Sequence, residues 1–164
     1  MRWEELFNPY IYYIVEIDKY NAIPKEKDYI PRTTKFHEIE LITEGEGVMI
    51  INGEEVQIKK GDMMYRSPST SIHAHGGYHC YLVIFEPFIT KDNYINLKTI
   101  KDALGNYLTK LDVKEEEKLI LPSKIKVDNI EDYKHRFKKM YIDIRKNGNT
   151  LKSKIIFLEL ICNL

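Results

Sequence analysis

Apolar positions recur every second residue up to about residue 90 and then every third or fourth. In the first part, Tyr10 to Ile17, Ile39 to Thr43, Val48 to Ile51, Glu55 to Ile58, Met63 to Tyr65 and Tyr78 to Phe85 are short runs of β-branched and aromatic residues, the composition of strands. Turn signals separate them: Glu44 to Gly47, Asn52-Gly53 and Lys59 to Asp62. Asn-Gly between apolar runs is a strong hairpin signal, because both residues tolerate the positive φ that a tight hairpin requires. Val56 and Ile58 alternate with Glu55, Gln57 and Lys59, so this strand buries one face. Many short strands at regular spacing predict a sandwich or barrel.

After Pro87 the spacing becomes helical. Leu97, Ile100, Leu104 and Leu108 recur at that period, interrupted by Gly105, and Leu119 to Val127, broken by Pro122, reads as extended. Asp128 or Asn129 can cap a helix whose stripe is Ile130, Tyr133, Phe137, Tyr141 and Ile144, with Asn147-Gly148 as its stop. Thr150 can open a last helix that is expected to run to the end of the chain. Leu151, Ile155, Leu158 and Cys162 share one of its faces, widened by Ile156, Leu160, Ile161 and Leu164. The expected organisation is a single compact domain of three parts: a β region at 1–90, a connection and return strand at 91–127, and two helices at 128–164. So apolar a helix needs cover from its own β region or from a second copy. We favour the copy, with Leu151, Ile155, Leu158 and Cys162 as the seam of a two-fold homodimer.

Composition narrows the class. Twenty-five basic residues balance 25 acidic ones in a 19.5 kDa chain, and a free-standing DNA-binding domain usually carries a basic surplus to meet phosphates. Cys80 and Cys162 lie far apart in apolar surroundings, as reduced, buried thiols would. The acidic start and the lack of any run near the roughly 18 apolar residues of a membrane span argue against export or insertion. The expected location is the cytoplasm.

Two stretches carry a family resemblance. Residues Phe36 to Gly47, and Gly61 to Pro68 followed by His73, resemble the two cupin motifs in the form found in AraC-type transcription regulators, with the Asn52-Gly53 hairpin between them. The resemblance covers roughly residues 32 to 164. It implies a mainly β fold, a cupin-like jelly-roll barrel followed by C-terminal α-helices. It also implies that the barrel holds a small-molecule effector, sugar-like or otherwise polar, and that the helices dimerise. In that family a double helix-turn-helix part usually reads DNA, and no such part is expected in this chain. The implied role is effector sensing for a bacterial transcription regulator, without enzymatic activity and without a cofactor.

The alternative is a stand-alone metal-dependent cupin enzyme, a small dioxygenase or isomerase. Metal-binding cupins carry His-x-His, then Glu, then a third His. Here Glu40 holds the Glu position, but Thr33 or Thr34 and Lys35 or Phe36 stand where the histidines belong, and His37 is out of register. No metal site is therefore expected, although His73 and His75 would share a face if extended and could chelate with Glu40. The expected ligand-binding residues are Arg32, Glu40, Tyr65, His73, His75, Tyr78 and Cys80, on a wall of Ile50, Val56, Ile58 and Leu82. Arg32 enters by resemblance to the family's pocket arginine. Tyr78, Cys80, Leu82 and Ile84 enter as one face of a strand, and one of Tyr65 and Arg66 must point in. No catalytic residue is proposed.

Overall fold

The computed structural model describes residues 8–87 and 119–164. The described strands are β1 (Tyr10–Ile17), β2 (Arg32–Thr33), β3 (His37–Ile51), β4 (Glu54–Lys59), β5 (Asp62–Arg66), β6 (Ser71–Ala74), β7 (Tyr78–Glu86) and β8 (Lys124–Lys126). Helices α1 (Ile130–Asn147) and α2 (Leu151–Cys162) follow. The helical pattern at Leu97 to Leu108 lies outside the described residues.

All strand pairings are antiparallel. One sheet runs β1-β7-β3-β5-β8, while β4 and β6 pair with the far half of β3 and β2 pairs with β6. The turn expected at Glu44 to Gly47 is not one: β3 is continuous for 15 residues and passes from the first sheet into the second. A register shift between Ile42 and Glu44 and a left-handed Gly45 (φ +79°) bend the strand there. A Cβ at Gly45 would lie 2.5 Å from the Gly77 carbonyl oxygen, so the bend requires glycine. Asn52 and Gly53 both have positive φ and form the expected hairpin turn.

The two sheets close over an interior built from both: Ile42, Met64, Tyr78 and Cys80 from the first, and Met49, Ile51, Ile58, Ile72 and Ala74 from the second. The outer face of the first sheet carries the helices. There Ile39, Leu41, Tyr81, Val83 and Phe85 pack against Tyr133, Phe137, Met140, Ile156, Phe157 and Leu160. Phe85 meets Phe157 edge-on at 4.6 Å between ring centroids.

Asn129 caps α1, and a Thr150–Ser153 capping box opens α2. The α1 stripe departs from expectation: Met140 and Asp143 are buried, while Ile130, Tyr141 and Ile144 are only half-buried. Asp143 belongs on the inner face because it accepts hydrogen bonds from Thr150 Oγ1 and Asn147 Nδ2 and joins the two helices. Helix α2 ends at Cys162 with Asn163 as its cap. It buries Ile156, Phe157 and Leu160 against the sheet, leaving Leu151 and Ile155 exposed, Leu158 half-buried and Cys162, expected buried, at the surface.

Candidate functional site

Strand alternation sends His37, Ile39 and Leu41 of β3 toward the helices, and Glu38, Glu40 and Ile42 into the barrel. From β5, Arg66 enters the same interior with its side chain 1% exposed. Its Nε donates to Glu38 at 3.0 Å and its Nη1 to Glu40 at 2.6 Å. From the edge strand β2, Arg32 places both terminal nitrogens on the Glu38 carboxylate, at 2.6 and 2.8 Å. The result is a chain, Arg32–Glu38–Arg66–Glu40, in which two guanidiniums meet two carboxylates. Burial disfavours the Arg66 charge, but Glu40 and Glu38 outweigh it and hold its pKa above the ordinary range. Burial also pushes Glu38 upward, and its contacts with Arg32 and Arg66 bring it below the usual carboxylate value.

Beside this chain lies a cavity of about 150 Å³ lined by Ile17, Tyr29, Ile30, Arg32, Glu40, Arg66, Ile72, Ala74, Tyr78 and Leu82. One wall is the segment joining β1 to β2. It is stitched to β6 and its following turn by backbone bonds from Tyr29 N to Ala74 O (2.8 Å) and from Gly76 N to Lys27 O (2.8 Å). Gly76 leaves no room for a side chain, since a Cβ there would lie 2.3 Å from the Pro24 oxygen.

Of the expected ligand-binding residues, Arg32, Glu40 and Tyr78 line this cavity. Cys80 sits deeper in the interior, hydrogen-bonded to Glu40, with burial and Glu40 raising its thiol pKa well above the ordinary value. Such a thiol is packing, not a nucleophile. Tyr65 faces the helices, where its hydroxyl donates to Leu119 O at 2.7 Å, and Arg66 is the member of that pair that turns inward. His73 and His75 point away from Glu40, because Ile72 and Ala74 fill the inward positions of β6. Asp28 accepts from His73 Nε2 at 3.3 Å and from His75 Nδ1, latching the β1–β2 segment from outside. The expected Glu40–His73–His75 grouping does not form. Ile50 pairs with His73 and shares its outer face, so it too leaves the wall. Tyr29, Ile30 and Ile17 were not expected at the site. They lie in or beside a connection whose fold only its contacts with β6 define.

A model of the AraC-like ligand-binding domain matches residues 15–161. The chain belongs to this family. Similar solved structures include the plu4264 protein of Photorhabdus luminescens, 19% identical over 49% of this chain and 68% of its own, with a TM-score of 0.38. A cupin protein from Bacteroides fragilis is 20% identical over 45% and 62%, with a TM-score of 0.34. A predicted oxalate decarboxylase from Thermotoga maritima is 24% identical over 42% and 62%, also at 0.34. This chain therefore spans less than two thirds of the last two proteins. No match was found among curated proteins.

The AraC-like domain has a second polar cluster on the helix side of its sheet. Tyr65 gives its one proton to Leu119 O, so the 2.7 Å contact with His37 has the imidazole Nδ1–H as donor. Burial lowers the His37 pKa to about 4. Nearby, burial raises Glu86 to about 7, and neither Glu86 Oε1 nor the Tyr12 hydroxyl has a hydrogen-bond partner. Among the described residues of this AraC-like domain, no helix is long and apolar enough to cross a membrane.

Proposed function

We propose that this domain senses a small-molecule effector for a cytoplasmic transcription regulator, binding it without turnover. The observation that carries this reading is the cavity in which Arg32, Glu40, Arg66 and Tyr78 converge over an aliphatic wall, a few polar groups on an apolar surround. Metal-dependent chemistry fits less well, because Glu40 is engaged by Arg66 while His73 and His75 bind Asp28 outside the barrel. The DNA-reading part would be supplied outside these residues.

The exposed Ile142, Leu151 and Ile155 of the two helices would form the homodimer seam, extended by Leu158 and Cys162. Polar replacement of Leu151 and Ile155 should then give a folded monomer. Light scattering that finds the unaltered chain monomeric at tens of micromolar would reject the dimer.

The effector reading is tested by equilibrating the chain with a metabolite extract, separating it by gel filtration and identifying what denaturation releases. A compound retained by the unaltered chain should be lost from Leu82→Trp, whose indole fills the cavity. Equal retention by both would refute the reading.

A further inference from the structure

We propose that the effector is a small zwitterion of amino-acid size, held by its carboxylate on Arg32 and by its ammonium group on Glu38. The inference rests on the effector-pocket reading and deepens it.

Arg32 already carries a carboxylate in the two-pronged geometry that guanidinium prefers, with Nη1 and Nη2 on the two oxygens of Glu38 at 2.6 and 2.8 Å. That carboxylate belongs to the protein, so the fork is formed before any ligand arrives. The two partners differ in how freely they can move. The Arg32 side chain is 43% exposed on a two-residue edge strand, whereas the Glu38 side chain is 3% exposed and is also held by Arg66 Nε at 3.0 Å. An incoming carboxylate can therefore take the Arg32 fork while Glu38 stays on Arg66. Glu38 Oε2 keeps the Arg66 bond, and Oε1, which had bonded only Arg32, is freed beside the cavity-lining Arg32 and Arg66.

Charge decides what the rest of the ligand carries. Before binding, the guanidiniums of Arg32 and Arg66 balance the carboxylates of Glu38 and Glu40. A simple acid would add an uncompensated anion beside Glu40, and a simple amine an uncompensated cation beside Arg32 and Arg66. Both are costly where water is scarce. A zwitterion keeps the cluster neutral, because its ammonium group meets the freed Glu38 Oε1. A neutral polyol would exchange a charge-assisted pair for weaker neutral hydrogen bonds. Beyond the charged mouth the lining is Ile17, Ile72, Ala74 and Leu82, flanked by the rings of Tyr29 and Tyr78, while the exposed Ile30 stands at the rim. A cavity of about 150 Å³ holds a body of roughly benzene size, which suits a short aliphatic side chain.

The test is calorimetric titration of the purified chain with L-leucine, 4-methylpentanoate, 3-methylbutylamine and D-xylose. The first three share a branched skeleton and differ in the charged head. L-leucine should bind about tenfold or more tightly than the other three. Arg32→Gln, on the half-exposed edge strand, should weaken leucine by a similar factor. Glu38→Gln should abolish the preference for leucine over 4-methylpentanoate. If that variant does not fold, the four-ligand comparison and Arg32→Gln still decide. Equal or tighter binding of the acid or of xylose would overturn the inference, as would no leucine binding at about 10 mM. If the acid or xylose binds and Leu82→Trp abolishes that binding, the effector pocket stands and the zwitterion falls. If none of the four binds, the zwitterion falls and the metabolite experiment alone decides the pocket.

Discussion

The cluster between sheet and helices contains two groups whose burial shifts act in opposite directions, and replacing either one should reveal the other. Glu86 rises from 4.5 to about 7. Between those values the folded chain keeps a proton that the unfolded chain has lost, so this group's stabilisation is complete below about pH 4.5 and falls as pH rises to about 7. His37 drops from 6.5 to about 4. Between those values the unfolded chain holds the extra proton, so this contribution is present above about pH 6.5 and is lost as pH falls to about 4. Each pKa unit corresponds to about 1.4 kcal/mol, so each group alone would tilt stability by about 3 kcal/mol across its window. From about pH 4.5 to 6.5 the two slopes cancel. Glu86→Gln keeps the shape and removes the titration. Relative to the unaltered chain, its stability should climb by about 3 kcal/mol between pH 4.5 and 7. His37→Asn, whose amide can still donate to Tyr65, should show the reverse trend, falling by about 3 kcal/mol from pH 4 to 6.5. Urea denaturation at half-unit pH steps measures both. Parallel curves for the unaltered chain and Glu86→Gln would show that Glu86 titrates normally and that the burial argument fails.

Two further outcomes follow from the barrel. Arg66→Met strands Glu40 in the interior, leaves Glu38 with Arg32 alone and should cost about 3 to 5 kcal/mol in urea denaturation. The triple variant with Glu38→Gln and Glu40→Gln should recover most of it, and failure to recover would mean that Arg66 acts through packing. Asp28→Asn removes the external anchor of the segment carrying Tyr29 and Ile30. Any ligand that binds the pocket should then dissociate faster in stopped-flow mixing, with little change in melting temperature, and an unchanged rate would show that the latch does not govern the wall.

Local rules were enough wherever a residue's own chemistry fixes its backbone or its face. Asn52-Gly53 requires positive φ, Asn129 and Thr150 supply caps, and Tyr78, Cys80 and Leu82 alternate inward with the strand pleat. The outward turn of His73 and His75 was not read from the sequence, which placed both in the cavity, although Ile72 and Ala74, which alternate with them, take the inner positions. Other features depended on partners distant in sequence. Gly45 looks like part of a turn until Gly77 packs against it and the strand continues. Tyr65 and Arg66 are adjacent, and only the helices and Leu119 on one side and Glu38 and Glu40 on the other decide which enters the barrel. On α2, apolar residues occupy most of the circumference, so the pattern could not choose a face. Phe85 chose it by packing on Phe157, which left Leu151 and Ile155 outside. Sequence sets which conformations are cheap at each position, whereas burial and charge compensation are properties of pairs, which exist only once the sheets have closed.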